Sequence, residues 1–583
     1  MNAEQRAAIR ENAQYLRQVR PIDPAEIDEY VPDQPHPAAV RAVLRDSALE
    51  LGLVERADGT FVPVSTDSID AADLAVDGAD AFDTGGVRAF PECHARRLED
   101  RLIARYGPGW PDGESGDRLR ERIRALKRAY FAGESVEYDA DTALAYAIYH
   151  LPDYYAATSY LLSELASGEL LPTDLRVLDI GAGVGGPALA TVDTLPDEAL
   201  CEYHAIEPSP AADLLKELLA DAGRNNHAEI YRERAEEFEP GIEGSDECGQ
   251  EDSGDSDNAE YDLLIFANVL SELDDPKGVV ERYLDYLAPD GTLLLLAPAD
   301  RETAIGLREV ERAVADGDDN GAGTEIGAGA EAGVGDGSVT VYAPTARLWP
   351  GESPTDRCWS FDVKPDIETP GFQRRLDDAA SDPDHKPGEF VNVDVQYAYS
   401  MLRTDGRRKI DITLDERRDA KLADSETHVS KRVDTTAIKL SHSLSDDGAG
   451  EASERGERNG RSERSRGGKN PLYLIGDGSQ GVDHFAVLTR ETVLNRALRK
   501  ADYGSLLRFE NVLVLWNELR PTLLRILRDA GTNERLTIAG ATEKRAIVRT
   551  ESVLGGDPRI DGTRIDVCHV ASFVLEGESS IDT

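Results

Sequence analysis

Positive charge is scarce in this chain. Its 583 residues carry 64 lysines and arginines against 112 aspartates and glutamates, a formal charge of −48. Methionine (2), tryptophan (4) and cysteine (5) are rare as well. Cys93, Cys201, Cys248, Cys358 and Cys568 are scattered, with no C-x-x-C pair. That argues against a disulfide framework and against a zinc site, so no metal is expected. No apolar run approaches the roughly 18 residues of a membrane-spanning helix. The N-terminal stretch MNAEQRAAIRENAQYLRQ is charged where a secretory leader is apolar. A soluble, cytoplasmic chain without membrane contact is the expectation. The acidic bias leaves the apolar patterning intact, which excludes an acidic disordered protein over most of the length. It fits a halophilic protein from a very salty cytoplasm. At molar salt the Debye length is only about 3 Å, so the net charge neither supports nor excludes a nucleic-acid partner.

The chain is too long for one core, and about three domains are expected. Residues 1–135 read as a mainly helical region, with a small hairpin at LVERADGTFVPV. The segments PECHARRLEDRLIARYGPGW and DRLRERIRALKRAYFAG give two further helices. Arg118, Arg120, Arg122, Arg124, Lys127 and Arg128 on the second either face phosphates or form a solvated face paired to acids. TALAYAIYHLPDYYAATSYLLSELA is an apolar helical tract expected to break at Pro152. Apolar strands then alternate with helices: one ending at Ile180, one ending at Ile206, one near HAEIYRERAEEF, then Tyr261–Phe266 and Gly291–Ala297. This alternation predicts an α/β fold with a parallel sheet covered on both faces. The sheet domain is placed at 139–404, with VQYAYSMLRT as a late strand. A β-rich C-terminal region follows at 405–516, and a tail at 517–583. Three low-complexity tracts read as disordered insertions, near 241–260, 315–337 and 445–469, the last rich in arginine.

The most informative stretch is Leu178-Asp179-Ile180-Gly181-Ala182-Gly183-Val184-Gly185-Gly186, running into Pro187-Ala188-Leu189-Ala190. It reads as strand, glycine turn and helix, with proline where a helix-start N–H would be unpaired anyway. Glycine lets the backbone approach a ligand, and a helix start offers free N–H donors. Gly181, Gly183 and Gly186 also satisfy the dinucleotide pattern G-x-G-x-x-G, which is weak alone. Asp179, just before the first glycine, is a poor neighbour for a pyrophosphate but suits an ammonium group. Glu207, in Tyr203-His204-Ala205-Ile206-Glu207-Pro208-Ser209, ends a second strand where it can accept ribose hydroxyls.

The order of these features resembles the class I methyltransferase superfamily, with Asp-x-Gly-x-Gly and then a strand-end acid. The resemblance implies a Rossmann-like sheet and S-adenosylmethionine as cofactor, held by Asp179, Gly181, Ala182, Gly183, Gly185 and Glu207. Ala235 and Glu236, after the third strand, are placed near the adenine by position alone, and Ala267 falls at the fourth strand's end. Asn268 follows that strand, where many such enzymes meet the acceptor; it is the candidate catalytic residue, or else a turn cap. Methyl transfer relies on in-line alignment, so no catalytic triad is expected, and none is visible. The N/D-P-P-Y type tetrad common in amine-modifying members is replaced here by A-N-V-L-S-E-L.

One branch is resembled in particular. LPDYYAA before the glycine strand, LDIGAGVGGPALA, FANVLSEL after the fourth strand and the late VQYAYSMLR are similar to the methyltransferase-like assembly factors of the mitochondrial small ribosomal subunit and their prokaryotic relatives. That resemblance implies the small ribosomal subunit and its rRNA as partners, in translation and ribosome biogenesis. Some members carry four cysteines for an iron–sulfur cluster. The matching segment here, VYAPTARLWPGESPTDRCWSFDV, has Cys358 alone. One thiolate cannot hold such a cluster, so none is expected, and Cys358 is read as a buried hydrophobe or a relic. Arg407, Arg408, Lys409, Lys431 and Arg432 are basic islands suited to RNA backbone phosphates, or else solvated loops. ESVLGGDPRIDGTRIDVCHVASFVLEGES in the tail resembles the start of an antitoxin-like helix-turn-helix domain, or is a glycine-rich hairpin. Three functions stand side by side: an rRNA methyltransferase, an assembly factor that binds the cofactor and transfers nothing, and a small-molecule methyltransferase.

Overall fold

The alternating tracts fold as strands and helices in the computed structural model. It describes residues 1–72, 74, 82–83, 86–132, 136, 138–240, 260–316, 339–445, 470–492 and 495–515, with four short strands further on. The chain divides into two units. The first comprises Met1–Asp274, Gly278–Leu293 and Lys364–Val395; the second comprises Asp275–Lys277, Leu294–Val363 and Gln396–Thr583.

The first unit begins with helices α1 (Ala3–Leu16), α2 (Pro24–Ile27), α3 (Pro37–Asp46) and α4 (Ala48–Leu51). Asn2 and Gln5 exchange side chain-to-backbone hydrogen bonds at the start of α1, satisfying two helix-end donors. The expected hairpin forms as β1 (Leu53–Glu55) and β2 (Phe61–Pro63), paired antiparallel. Ile9, Val40, Leu44, Leu53 and Phe61 close a small apolar core beneath it. A short second hairpin, β3 (Phe82–Asp83) and β4 (Gly86–Val87), leads to α5 (Glu92–Tyr106), α6 (Gly113–Ala132) and α7 (Ala140–Ser167).

The basic residues of α6 are engaged within the protein. Arg122 pairs with Asp139 at 2.6 Å, Arg128 with Glu121 at 2.7 Å, and Arg124 with both oxygens of Glu389. Arg120 is buried and donates to the carbonyls of Pro111 and Leu376. Of the two readings of this helix, pairing to acids is the one present.

The expected break at Pro152 does not occur. Helix α7 runs from Ala140 to Ser167 with Pro152 inside it. Proline has no amide to offer the carbonyl four residues back, which is that of Ile148. Buried Gln373 supplies the missing donor, its Nε2 2.8 Å from that oxygen. The partner lies 225 residues further along the chain, out of reach of a local sequence argument.

The sheet of this unit contains β5 (Asp174–Ile180), β6 (Leu200–Ile206), β7 (Asn226–Tyr231), β8 (Tyr261–Ala267) and the first part of β9 (Leu287–Pro298). Helices α8 (Gly186–Thr194), α9 (Ala211–Leu218) and α10 (Pro276–Leu284) fall between strands. The strand order is β9-β8-β5-β6-β7, with β5 parallel to both β6 and β8, and β6 parallel to β7. The chain moves outward from β5 through β6 to β7 and then returns to β8. The order therefore reverses between β5 and β8, where open α/β sheets bind ligands. This is the Rossmann-like sheet expected from the sequence.

The second unit is rich in β-structure, as expected. Val395–Arg403 pairs antiparallel with Thr340–Ala343. Arg432–Lys439 pairs antiparallel with Leu506–Leu515 and with Leu472–Gly476, which in turn pairs with His484–Val487. Tyr473, Ile475, Leu507, Phe509 and Val512 form one of its cores. Cys358 is fully buried, a free thiol pushed up to about 12 by that burial.

The three tracts expected to be disordered and the tail expected to resemble an antitoxin-like domain lie, apart from their edges and a few short strands, outside the described residues. Among the described residues no helix is long and apolar enough to cross a membrane.

Candidate active site

Register places the carboxyl ends of the strands side by side. Ile180 lies opposite Ile206 on one side and Phe266 on the other, and Ile206 lies opposite Tyr231. The turns after β5, β6, β7 and β8 therefore open on one edge of the sheet. Nine of the candidate ligand and catalytic residues stand on or just before these turns: Asp179, Gly181, Ala182, Gly183, Gly185, Glu207, Ala235, Ala267 and Asn268. Glu236 follows Ala235 directly.

Asp179, the penultimate residue of β5, is wholly buried. Its Oδ2 accepts a hydrogen bond from the Tyr203 hydroxyl at 2.8 Å, while Oδ1 is buried without a partner. Burial first, and then the negative charge of Glu207, push its carboxyl up to about 7. The glycine turn hangs from β6: the amides of Gly181 and Ala182 both donate to the Ile206 carbonyl, at 2.9 and 3.0 Å. Gly181 and Gly183 hold φ of +73° and +54°, the left-handed region that side chains avoid. Their surroundings differ. A Cβ on Gly181 would lie 2.5 Å from Val269, whereas one on Gly183 would meet only the Gly181 carbonyl oxygen, at 3.9 Å.

Glu207 is buried and ties the two turns together. Its Oε2 accepts from the Gly183 amide at 2.9 Å and its Oε1 from the Ser209 amide at 2.8 Å. Each carboxylate oxygen has a further lone pair for a hydroxyl donor. Asn268 follows β8 in the left-handed conformation, φ +61°, which asparagine tolerates better than most residues. Ala235 is buried, and its carbonyl accepts from the Tyr283 hydroxyl at 2.9 Å. Glu236 pairs with Arg234.

Several residues at this edge were given no role from the sequence. Helix α7 presents Tyr146, His150 and Tyr154 at four-residue spacing, one face of a helix. His150 stacks on Tyr154 with ring centroids 5.2 Å apart, and Tyr146 lies 6.1 Å from Tyr154 and 5.7 Å from Tyr138. Tyr154 packs on the glycine turn: a Cβ on Gly186 would lie 2.9 Å from the Tyr154 Cβ. Glu272, just beyond β8, is exposed. The protein around it, and then the charge of Glu207, push its carboxyl up to about 7. The tyrosine phenols are raised well above their ordinary value by burial, with Glu272 adding to the effect at Tyr138, Tyr146 and Tyr154. The signal for this wall was the period of four in YAIYHLPDYY, hidden by the apolar character of the helix.

The basic candidates lie in the second unit. Arg407 and Arg408 are exposed after Val395–Arg403; the Arg407 amide donates to Asp405 at 2.9 Å and Arg408 to the Arg347 carbonyl at 3.3 Å. Lys409 is half-buried, and its amide donates to the Tyr342 carbonyl. Lys431 is exposed, with Nζ 2.7 Å from the Thr427 carbonyl, and half-buried Arg432 donates to the Asn511 carbonyl at 2.8 Å.

One protein-family match falls on the sheet. Residues 178–293 match a methyltransferase domain. Residues 6–57 and 423–523 match the N-terminal and C-terminal domains of a domain of unknown function (DUF8157). No match was found among curated protein sequences. Solved structures similar to part of the chain include the plantazolicin methyltransferase BpumL in complex with SAH (16% identity, 34% of this chain, 65% of that one, TM-score 0.21). Others are the CcbJ methyltransferase from Streptomyces caelestis (20%, 26% and 54%, TM-score 0.19) and the arsenic(III) S-adenosylmethionine methyltransferase CrArsM from Chlamydomonas reinhardtii (18%, 21% and 38%, TM-score 0.17). The chain spans less than two thirds of the length of each of these proteins.

Proposed function

We propose that the first unit binds S-adenosylmethionine at the ends of β5 to β8 and that the chain is an rRNA methyltransferase of the small ribosomal subunit. The observation that carries cofactor binding is the pairing of a buried carboxyl that has one unmet oxygen, Asp179, with the open, left-handed backbone at Gly183. An unmet acceptor in a buried site is costly unless a ligand answers it. Asp179 would hold the ligand's ammonium group, the turn would lie along its backbone, and Glu207 would take the ribose hydroxyls on its remaining lone pairs. When bound, the sulfonium supplies an electrophilic methyl group.

The chain's own residues then position an acceptor. Tyr146, His150 and Tyr154 offer ring faces to a planar base, a common way to hold unpaired nucleotides. Glu272 stands where it can take a proton from the acceptor, and Asn268 offers an amide to orient it. The ribosomal acceptor rests on the motifs LPDYYAA and FANVLSEL, and on the exposed cations Arg407, Arg408 and Lys431. A second reading is favoured by the A-N-V-L-S-E-L that stands in place of the amine-modifying tetrad: an assembly factor that binds cofactor and subunit and moves no methyl.

A transfer assay separates them. Labelled S-adenosylmethionine is incubated in molar salt, the condition proposed for this acidic chain, with small subunits from a strain lacking the gene. Label in the small-subunit RNA is the expected result. Tight binding of cofactor and subunit without label establishes the assembly factor, and no cofactor binding overturns the site. Replacing Arg407, Arg408 and Lys409 with alanine should weaken subunit binding and leave cofactor affinity unchanged; equal retention of subunits removes these residues from the interface.

A further inference from the structure

In the first unit, the first turn of α5 carries an exposed Cys93 followed by a buried His94. The His94 ring sets Nε2 2.8 Å from Asp193 Oδ2, and the Tyr155 hydroxyl donates to the same oxygen at 3.0 Å. Asp193 is thereby fixed from two sides, and it fixes the ring in turn. The other ring nitrogen, Nδ1, is buried and has no well-formed hydrogen bond, although His94 is only 4% exposed. Cys93, His94 and Asp193 line a cavity of about 280 Å³ whose wall also includes Arg97 and Arg224. That volume lies just below the roughly 300 Å³ at which small-ligand cavities usually begin.

A histidine that only cross-links helices α5, α7 and α8 explains the contacts of Nε2. It does not explain why the exposed thiol sits beside an imidazole whose Nδ1 has no other partner, nor why both residues line a cavity. We propose that Cys93, activated by His94 and Asp193, is a reactive thiolate that forms a mixed disulfide with a low-molecular-weight disulfide bound in this cavity. The electrostatics agree with the geometry. The neighbouring His94 holds the Cys93 thiol below its ordinary value against the effect of burial. Burial opposes charge on His94, but Asp193 and Cys93 outweigh it and lift the imidazole to about 9. By contrast, burial pushes the thiols of Cys201 and Cys358 upward.

The step is a thiol–disulfide exchange. The Cys93 thiolate attacks one sulfur of the small disulfide, and a new S–S bond forms as the old one breaks. The electron pair leaves on the departing sulfur, which takes a proton from the His94 imidazolium and departs as a neutral thiol. The incoming disulfide is the oxidant, so no other redox partner is needed.

The full-length chain, in molar salt, is treated with 2-hydroxyethyl disulfide from pH 5.5 to 9, and each cysteine is followed by peptide mass spectrometry. Cys93 should react with a half-maximal rate at least one pH unit below that of a free cysteine, about 8.5. Asp193→Asn and His94→Gln should return that profile toward the free-cysteine value, by at least tenfold in rate at pH 6.5. A wild-type Cys93 that reacts like a cysteine in an unfolded peptide overturns the proposal without recourse to a variant. So does an Asp193→Asn protein, folded by circular dichroism, with an unchanged profile.

Discussion

Gln373 gives Ile148 the hydrogen bond that Pro152 cannot. Its Nε2 lies 2.8 Å from the Ile148 carbonyl oxygen, its Oε1 accepts the Asn392 amide at 3.1 Å, and the side chain is wholly buried. The helix that carries the tyrosine wall thus depends on a residue from a distant part of the chain. Gln373→Leu removes a donor and an acceptor together and leaves two backbone groups unmet. A loss of about 1–3 kcal/mol is expected for each such group. In a Pro152→Ala background, residue 152 regains its amide and Ile148 no longer needs Gln373. The cost of Gln373→Leu should then fall by about 1 kcal/mol or more. Denaturant midpoints of the four proteins measure this coupling, and equal costs in both backgrounds would sever Gln373 from Pro152.

Asp179 makes both stability and ligand affinity depend on pH, in opposite senses. Unfolded, its carboxyl titrates near about 3.9; folded, near 7. Between these values the folded protein holds a proton that the unfolded chain has released. Its contribution to stability is therefore fully present below the lower value and is lost as pH rises toward about 7. A cationic ligand needs the carboxylate, so affinity for S-adenosylmethionine should increase over pH 5.5 to 7.5. Asp179→Asn should remove this contribution from both curves. Asp179→Ala and Glu207→Ala should each weaken binding at least tenfold, or about 1.4 kcal/mol. Equilibrium dialysis checks this, and unchanged affinity in both variants would refute the site.

The glycines of the turn should fail differently. Gly181→Ala sets a Cβ against Val269 in a left-handed backbone, so it should lower stability by about 1–3 kcal/mol and affinity with it. Gly183→Ala carries a similar backbone cost of about 1 kcal/mol, but its Cβ enters open space within the protein. Its main effect should fall on the ligand, with affinity reduced more than thermal stability. Melting curves with and without S-adenosylmethionine distinguish the two. A Gly183→Ala protein that binds normally would move the ligand away from the turn.

The sequence made the sheet legible because period, turn and strand length all act locally. Residues 178–186 prescribe a strand, a left-handed turn and a helix wherever they occur, and Glu207 follows at the next strand's end. What it hid were partnerships across long separations. Nothing near Pro152 signals Gln373, and nothing near Cys93 signals Asp193, 99 residues away from its partner His94. The tyrosines of α7 were visible as letters, but their apolar neighbours made them look like core. The arginines of α6 were ambiguous until Asp139, Asp382 and Glu389 were placed beside them.

Glu272 offers the sharpest test of transfer as against mere binding. Its carboxyl stands at about 7, raised by the surrounding protein and by Glu207, and its charge acts in turn on Tyr138, Tyr146 and Tyr154. If it receives the acceptor's proton, it must be ionised to act, since only the carboxylate is a base. The transfer rate should then rise with pH through about 7 and level off above it. Glu272→Gln keeps the shape and removes the base, so the rising limb should vanish and the rate at pH 8 fall by about 10²-fold or more. Cofactor affinity should stay within about twofold, because the residue lies outside the set that holds the ligand. Tyr154→Phe should keep the ring face and most of the rate, whereas Tyr154→Ala should raise the acceptor's KM. A Glu272→Gln enzyme with the wild-type pH profile would assign the proton to solvent and leave Glu272 a bystander at the rim.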